Sequence, residues 1–306
     1  MDRREFIKKS IALGLGAGLT TFFGGAEKIF SEDNDSNIIP DLVAIKDGEA
    51  DAMFDAGIKA MGGMEKFVKK GQTVVVKPNI GWNVTPERAG NTNPKLIGRI
   101  VSHCLEAGAK KVYVFDNSCD YWNYTYKNSG ISDAVKLAGG TIAPGNTESY
   151  YQEVRIPKAS ILKKTKVHEL ILDCDVLINV PILKHHSSSK LTIAMKNLMG
   201  VVWDRGFYHQ TDLHKTIAEF CLYRKPDLNI VDAYYVLQKN GPRGVSPDDV
   251  ALVKNQLIST DIVAIDAAAA KIFGVEPNTI PYIKMAHDLK IGNMNLSQLK
   301  IKKISV

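Results

Sequence analysis

Lys184, His185 and His186, followed by Ser187 to Ser189 and then by Lys196 and Asn197, concentrate chemistry within the stretch Asp175 to Val202, DVLINVPILKHHSSSKLTIAMKNLMGVV. Imidazole titrates near neutral pH, so His185 or His186 can serve as general acid, general base or metal ligand. Lysine ammonium groups beside them suit a carboxylate or phosphate. Such a cluster needs a rigid support. Val176, Leu177, Ile178 and Val180 form an apolar run that reads as a short buried strand ending at Pro181. From Leu191 the positions Leu191, Met195, Leu198, Met199 and Val202 recur at helical spacing, with Ser187 to Ser189 as caps, and this turns Lys196 and Asn197 toward another face. Adjacent histidines on an extended segment point apart, so one of the two is expected to face the ligand while its neighbour orients or packs.

Other strands end in the same manner. Val74 to Val76 leads into Lys77-Pro78-Asn79, Val112 to Phe115 into Asp116-Asn117, and Leu228 to Val231 into Asp232. Ligands in open parallel sheets bind outside the carboxyl ends of strands, and four such ends therefore predict one site. Two loops are expected to complete it. Arg88, Gly90, Asn91 and Thr92 precede a helix, whose free N–H groups favour an anion. Asp204 to His214 carries Arg205, His209 and His214. On this reading Lys184, His185, His186 and Lys196 are the catalytic candidates. Lys77, Asn79, Arg88, Asn91, Thr92, Asn197 and Arg205 would hold a small anionic ligand. Asp116, His185, His209, Asp232 and Asp266 would be the donors for a divalent metal, or would orient a histidine or lysine. Asp266 enters this set because it sits inside the apolar helix IVAIDAAAA, where a carboxylate needs a cation, a metal or a backbone donor. Asp261 reads as the cap of that helix, and Arg243 lies on the turn Gly241-Pro242-Arg243-Gly244.

The elements that must position these residues alternate along the chain. Strands are expected at Leu42 to Ile45, Thr73 to Val76, Val112 to Phe115, Val176 to Val180, Leu228 to Val231, Ala251 to Ile258 and Leu299 to Ile304. Helices are expected near Glu49 to Met61, Asn93 to Ala107, Ser129 to Leu137, Asp212 to Tyr223, Asp261 to Phe273 and Pro281 to Leu289. Tyr151 to Ile156 alternates, and Ala159 to Leu172 fits strand or helix. The pattern predicts an α/β fold, a mainly parallel sheet with helices on both faces, in one or two α/β lobes.

The N-terminus stands apart from this alternation. Arg3-Arg4 with Phe6 and Lys8 precedes an apolar stretch from Ile11 to Gly25, the pattern of a twin-arginine export signal. The expected division is a signal over 1–26, a polar linker over 27–40 and an α/β domain over 41–306. The apolar run is shorter than the roughly 20 residues that span a bilayer, so release after export is favoured over an uncleaved membrane anchor, and no stable membrane span is expected in the mature chain. Twin-arginine export machinery is then a partner, and the location is extracytoplasmic. The net charge of +6 falls to +4 without the signal, with no long basic run, which argues against nucleic acid. Cys104, Cys119, Cys174 and Cys221 are far apart and form no C-x-x-C, so a cysteine-ligated iron-sulfur cluster is not expected. No G-x-G-x-x-G follows a strand, so a dinucleotide is not indicated. The classes left open are an enzyme, a ligand- or cofactor-binding accessory protein, and a redox-associated protein without its own cluster.

VVVKPNIG, GNTNPKLIGRIV, EAGAKKVYVFDN, DVLINVPILKHH, AMKNLMGVVWDR, LHKTIAE, LNIVDA, GPRG and STDIVAIDAAAA occur in that order. Together they resemble the domain of unknown function 362 family across roughly residues 42 to 275. The resemblance implies an α/β fold and goes with twin-arginine signals in similar proteins. Some of those carry an added ferredoxin-like iron-sulfur module, whose cysteine cluster is not found in this sequence.

Overall fold

The computed structural model describes residues 39–306. The expected signal and most of the expected linker lie outside the described residues.

Twelve strands are described: β1 (Leu42–Lys46), β2 (Thr73–Pro78), β3 (Lys111–Val114), β4 (Thr141–Ile142), β5 (Tyr151–Arg155), β6 (Lys164–His168), β7 (Val176–Val180), β8 (Ile182–His186), β9 (Lys190–Thr192), β10 (Leu228–Leu237), β11 (Val250–Ser259) and β12 (Ile301–Ser305). Ten of them form one sheet, ordered β12-β1-β11-β10-β7-β2-β3-β4, with β8 joined to β10 and β9 to β8. β5 and β6 pair separately, antiparallel. The core run β10-β7-β2-β3-β4 is parallel, while β11 runs antiparallel to both β10 and β1. The fold is therefore α/β with a mixed, mostly parallel sheet, and a single large sheet stands where one or two lobes were open.

Helices cover both faces because both faces of the central strands are apolar. Val74 and Val76 of β2 point into a core with α1 (Ala50–Ala60), α2 (Pro94–Glu106), α3 (Trp122–Asn128) and α4 (Ile131–Leu137). Val75 points the other way. There it meets a core built with the short α5 (Glu169–Asp173), α6 (Ala194–Asn197), α7 (Arg205–Gln210), α8 (Leu213–Phe220), α9 (Ile262–Ile272) and α10 (Pro281–Asp288). Helix starts follow their caps. The Asn93 side chain accepts from Lys95 N with Pro94 in the first turn, and Asp261 accepts from Val263 N and Ala264 N.

Four expectations fail in instructive ways. The helix expected from Leu191 is instead β9, then the four-residue α6 and a 3-10 turn over Leu198–Val201. Every residue from Leu191 to Val202 is buried, so the helical spacing of its apolar side chains marked a segment buried on all sides and set no single face. Ser187 to Ser189 cap no helix; they turn the β8–β9 hairpin, so Ile182 to His186 is itself a strand. Leu228 to Val231 does not end at Asp232, because β10 continues to Leu237. The Trp122–Asn128 helix was not expected at all, since its aromatic and polar residues show no apolar period.

Candidate functional site

At one level of the sheet, apolar residues give way to a polar row on a single face. Lys77 of β2 lies in register with Asn179 of β7, and Asn179 with Asn229 of β10. All three are fully buried and share the side of Val75 and Leu177. The row is satisfied internally. Asn179 Nδ2 donates to Asn229 Oδ1 (3.1 Å) and to the Ala194 carbonyl (3.0 Å), while its Oδ1 accepts from Asn197 Nδ2 (2.9 Å). Lys77 Nζ donates to Asn197 Oδ1 (3.2 Å) and the Pro78 carbonyl (2.7 Å), and forms an ion pair with Asp116 Oδ1 at 2.8 Å. Asp116 stands just beyond β3, next to β2, and its other oxygen accepts from Ile80 N at 2.7 Å. Burial lowers the Lys77 pKa, and Asp116 opposes that shift.

Above this row opens a cavity of about 420 Å³. Lys184 reaches it from β8 and is 1% exposed. Its Nζ donates to the Gly90 carbonyl at 2.6 Å and to Asn79 Oδ1 at 3.2 Å, with no carboxylate among these partners. Lys196, in α6, is 8% exposed, and its Nζ meets only Met199 Sδ at 3.3 Å. Burial brings the Lys184 pKa down to about 7 and the Lys196 pKa down to about 8, reinforced in each case by neighbouring cations. Arg205 closes a third side. Its guanidinium donates to the carbonyls of Asn117 (2.8 Å) and Ser118 (2.9 Å) and contacts Cys119 Sγ (3.2 Å), which fixes it on the loop after β3. Three buried lysines and an arginine thus surround a space whose walls hold one carboxylate, Asp116.

His186 lines this cavity and His185 does not. The strand alternation separates them: His185 Nδ1 accepts from Gly241 N at 3.0 Å, behind the wall. His186 Nδ1 accepts from Ser188 N (3.1 Å), which leaves Nε2 to carry the ring proton. Burial and the neighbouring cations push the His186 pKa down to about 2, so the ring stays neutral at physiological pH. It is a hydrogen-bond donor rather than a cation.

The ligand-binding candidates divide in the same way. Lys77, Asn79, Asn197 and Arg205 line the cavity. Arg88, Asn91 and Thr92 are not on its wall. Asn91 pins the preceding loop through Trp82 N, Trp82 O and Val84 O. Thr92 Oγ1 bridges Asn79 N to the Val180 carbonyl. Thr92 thus positions Asn79, and Asn91 holds the loop that follows it.

The five metal candidates are not brought together. Asp116 and His209 are on the wall, but Asp116 is held by Lys77. Asp232 accepts from Asn93 N (2.7 Å) and Tyr234 N (3.0 Å), tying β10 to the start of α2. Asp266 accepts from Ala194 N (2.7 Å) and Met195 N (3.1 Å) and so anchors the turn that presents Lys196 and Asn197. Burial raises these two carboxyl groups to about 6 and about 8. No three His, Cys, Asp or Glu residues converge among the described residues. The donor set therefore does not fit a protein-ligated metal.

Several wall residues had no strong signal in the sequence. Cys119 follows β3, and Gly200 passes directly over the ion pair. A Cβ on Gly200 would overlap Asp116 Oδ1 and stand 2.5 Å from Lys77 Nζ, which is why glycine is required there. The G-V-V after Asn197-Leu-Met is the only trace of this in the chain. All four cysteines are free.

A family model described as a domain of unknown function (DUF362) matches residues 74–271, which contains every wall residue named above. A thylakoid-associated protein of Synechocystis sp. is 27% identical over 251 residues, covering 77% of this chain and 73% of that protein. Among solved structures, a protein from Thermotoga maritima aligns with a TM-score of 0.46 at 12% identity, over 78% of this chain. The lactate racemase apoprotein of Thermoanaerobacterium thermosaccharolyticum aligns with a TM-score of 0.44 at 10% identity, over 85% of this chain. The chain spans 59% of the length of each of these two structures.

Proposed function

We propose that this chain, which belongs to the domain of unknown function 362 family, is an exported enzyme that binds a small carboxylate or phosphate in the 420 Å³ cavity and works on it by lysine acid–base chemistry. The observation that carries the proposal is the charge imbalance of the wall. Lys77 has Asp116, whereas Lys184 and Lys196 are buried without a counter-ion. A buried cation needs an anion, and the cavity gives a ligand room to supply it. Lys184, brought to about 7, is suited to exchange protons at neutral pH. His186 contributes an Nε2–H donor, and Arg205 adds a fixed charge. Metal assistance is not part of the proposal, because Asp116 is already paired and no three His, Cys, Asp or Glu side chains converge among the described residues.

Export rests on Arg3, Arg4, Phe6 and Lys8 ahead of the apolar segment. The thylakoid association of the Synechocystis relative is in keeping with a chain directed to a membrane. Fractionation of cells making the wild type and Arg3→Lys/Arg4→Lys chains tests it; retention of the variant inside is expected, and equal export would refute it.

Calorimetric titration with inorganic phosphate and with small carboxylates, at pH 6.5, tests the anion site. Lys196→Met should weaken binding at least tenfold, about 1.4 kcal/mol. Unchanged affinity would overturn the site. Enzyme and holder then separate on Lys184→Met: a holder loses affinity alone, whereas an enzyme variant that still binds loses turnover.

A further inference from the structure

A neutral lysine amine has two N–H donors and one lone pair, and at Lys184 both donors have partners. They are directed to the Gly90 carbonyl (2.6 Å) and Asn79 Oδ1 (3.2 Å), acceptors that sit on one loop held by Asn91 and Thr92. Lys184 lines the cavity. With both hydrogens committed to the wall, the remaining valence is the lone pair, and an electrophile in the cavity is what it can meet. Lys196 supplies the complementary half. It is more than nine-tenths buried, lines the same cavity, and its ammonium has only a thioether as partner. One lysine is thus arranged to attack and its neighbour to hold a negative charge.

Resting on the anion-site reading above, we infer that the substrate class is a carbonyl acid, such as a 2-oxo acid, and that Lys184 forms an imine with its carbonyl carbon while Lys196 and Arg205 hold its carboxylate. The Lys184 Nζ lone pair forms the C–N bond as the carbonyl π bond breaks, and one amine proton passes to the oxygen to give a carbinolamine. The C–O bond then breaks, and water leaves with the second amine proton. The His186 Nε2–H, fixed by Ser188 N on the other ring nitrogen, is the donor available to the carbonyl oxygen during the attack. The pKa of Lys184, brought to about 7 by burial and by the cations Lys196 and Lys77, keeps a large neutral fraction at pH 7.5, the logic by which desolvated lysines become nucleophiles. Lys77 does not compete for this role, because its Nζ is engaged by Asp116, Asn197 and the Pro78 carbonyl.

The test is reductive trapping on the mature chain. Protein at pH 7.5 is incubated with pyruvate or glyoxylate and sodium cyanoborohydride, which reduces an imine to a stable secondary amine, and the adduct is located by peptide mass. One adduct per chain, on Lys184, suppressed at least tenfold by saturating phosphate, is the expected result. Lys196→Met should lower the trapping rate at low pyruvate and leave Lys184 as the site. Adducts spread over exposed lysines, with none at Lys184, would overturn the inference. Phosphate and pyruvate that bind by calorimetry but give no adduct would overturn imine formation while the anion site stands. Absence of binding by either anion would overturn both. The mapping is read on wild-type protein, so it does not depend on a Lys184 variant folding.

Discussion

Lys77 of β2 and Lys184 of β8 are both fully buried lysines, and they have opposite surroundings. Lys77 meets Asp116 at 2.8 Å and Asn197 at 3.2 Å, a closed arrangement in which each charge has its partner. Lys184 meets a carbonyl and a side-chain amide, neutral acceptors that cannot balance an ammonium. Burying an ion costs several kcal/mol unless a counter-charge offsets it. The difference between the two lysines is therefore a difference in role: Lys77 belongs to the structure that holds the site together, and Lys184 is kept destabilised where a ligand can reach it. Strongly perturbed groups of this kind cluster at functional sites.

Breaking the closed pair should have the largest effect. Asp116→Ala leaves the buried Lys77 charge without its counter-ion and Ile80 N without its acceptor, and a loss of about 3–5 kcal/mol is expected in denaturant unfolding. Lys184→Met removes an uncompensated charge and keeps the volume, so it should be neutral or stabilising in the same assay. Equal losses for the two variants would erase the distinction. Next comes Gly200→Ala, where the added methyl displaces the Asp116 carboxylate from Lys77; about 1–3 kcal/mol of overpacking is expected, with the anion site weakened as well.

The pH dependence sharpens the comparison further. For Lys184 the folded pKa, about 7, lies below the unfolded value of 10.5. Below pH 7 both states are protonated and the burial cost is fully present. As pH rises past 7 the folded chain releases the proton while the unfolded chain keeps it, so stability increases with pH up to about 10.5. The slope from one such proton is at most about 1.4 kcal/mol per pH unit. Lys196, at about 8, adds its own rise beginning one unit higher. Unfolding midpoints of wild type and Lys184→Met at pH 6.5 and 9 check this. The variant should show a smaller rise between them; an identical rise would mean that Lys184 is charged throughout. Anion affinity should move the other way, falling as pH passes 7 to 8 and the lysines lose their charge.

How much of this was legible in the chain follows from the same physics. Strand ends were readable because apolar runs stop abruptly at Lys77, Asp116 and Lys184, and those three do meet at one cavity. Lys196 and Asn197 were readable as residue types, but not their support, since a segment buried on every side carries no amphipathic period to reveal where strand yields to helix. Asp232 and Asp266 show the limit of residue-type reasoning. A buried carboxylate must have a partner, but the sequence does not say whether that partner is a metal or a backbone N–H, and here it is Asn93 N and Tyr234 N in one case and Ala194 N and Met195 N in the other. Gly200 was invisible for a related reason: a close approach of backbone to an ion pair is a tertiary fact.

The smallest expected effect isolates burial as the variable that separates these lysines. Lys164 Nζ lies 2.9 Å from Glu153 Oε2, a distance close to that of Lys77 from Asp116, yet both side chains are open to solvent, at 67% and 47%. Water solvates both partners whether or not they meet, and salt screens what attraction remains. Lys164→Ala should therefore leave the unfolding midpoint, its pH dependence and phosphate affinity unchanged within error. If it instead matched Asp116→Ala, the count of charge pairs and not their burial would govern stability. The contrast between a closed pair and a buried lysine without a counter-ion would then have no energetic basis.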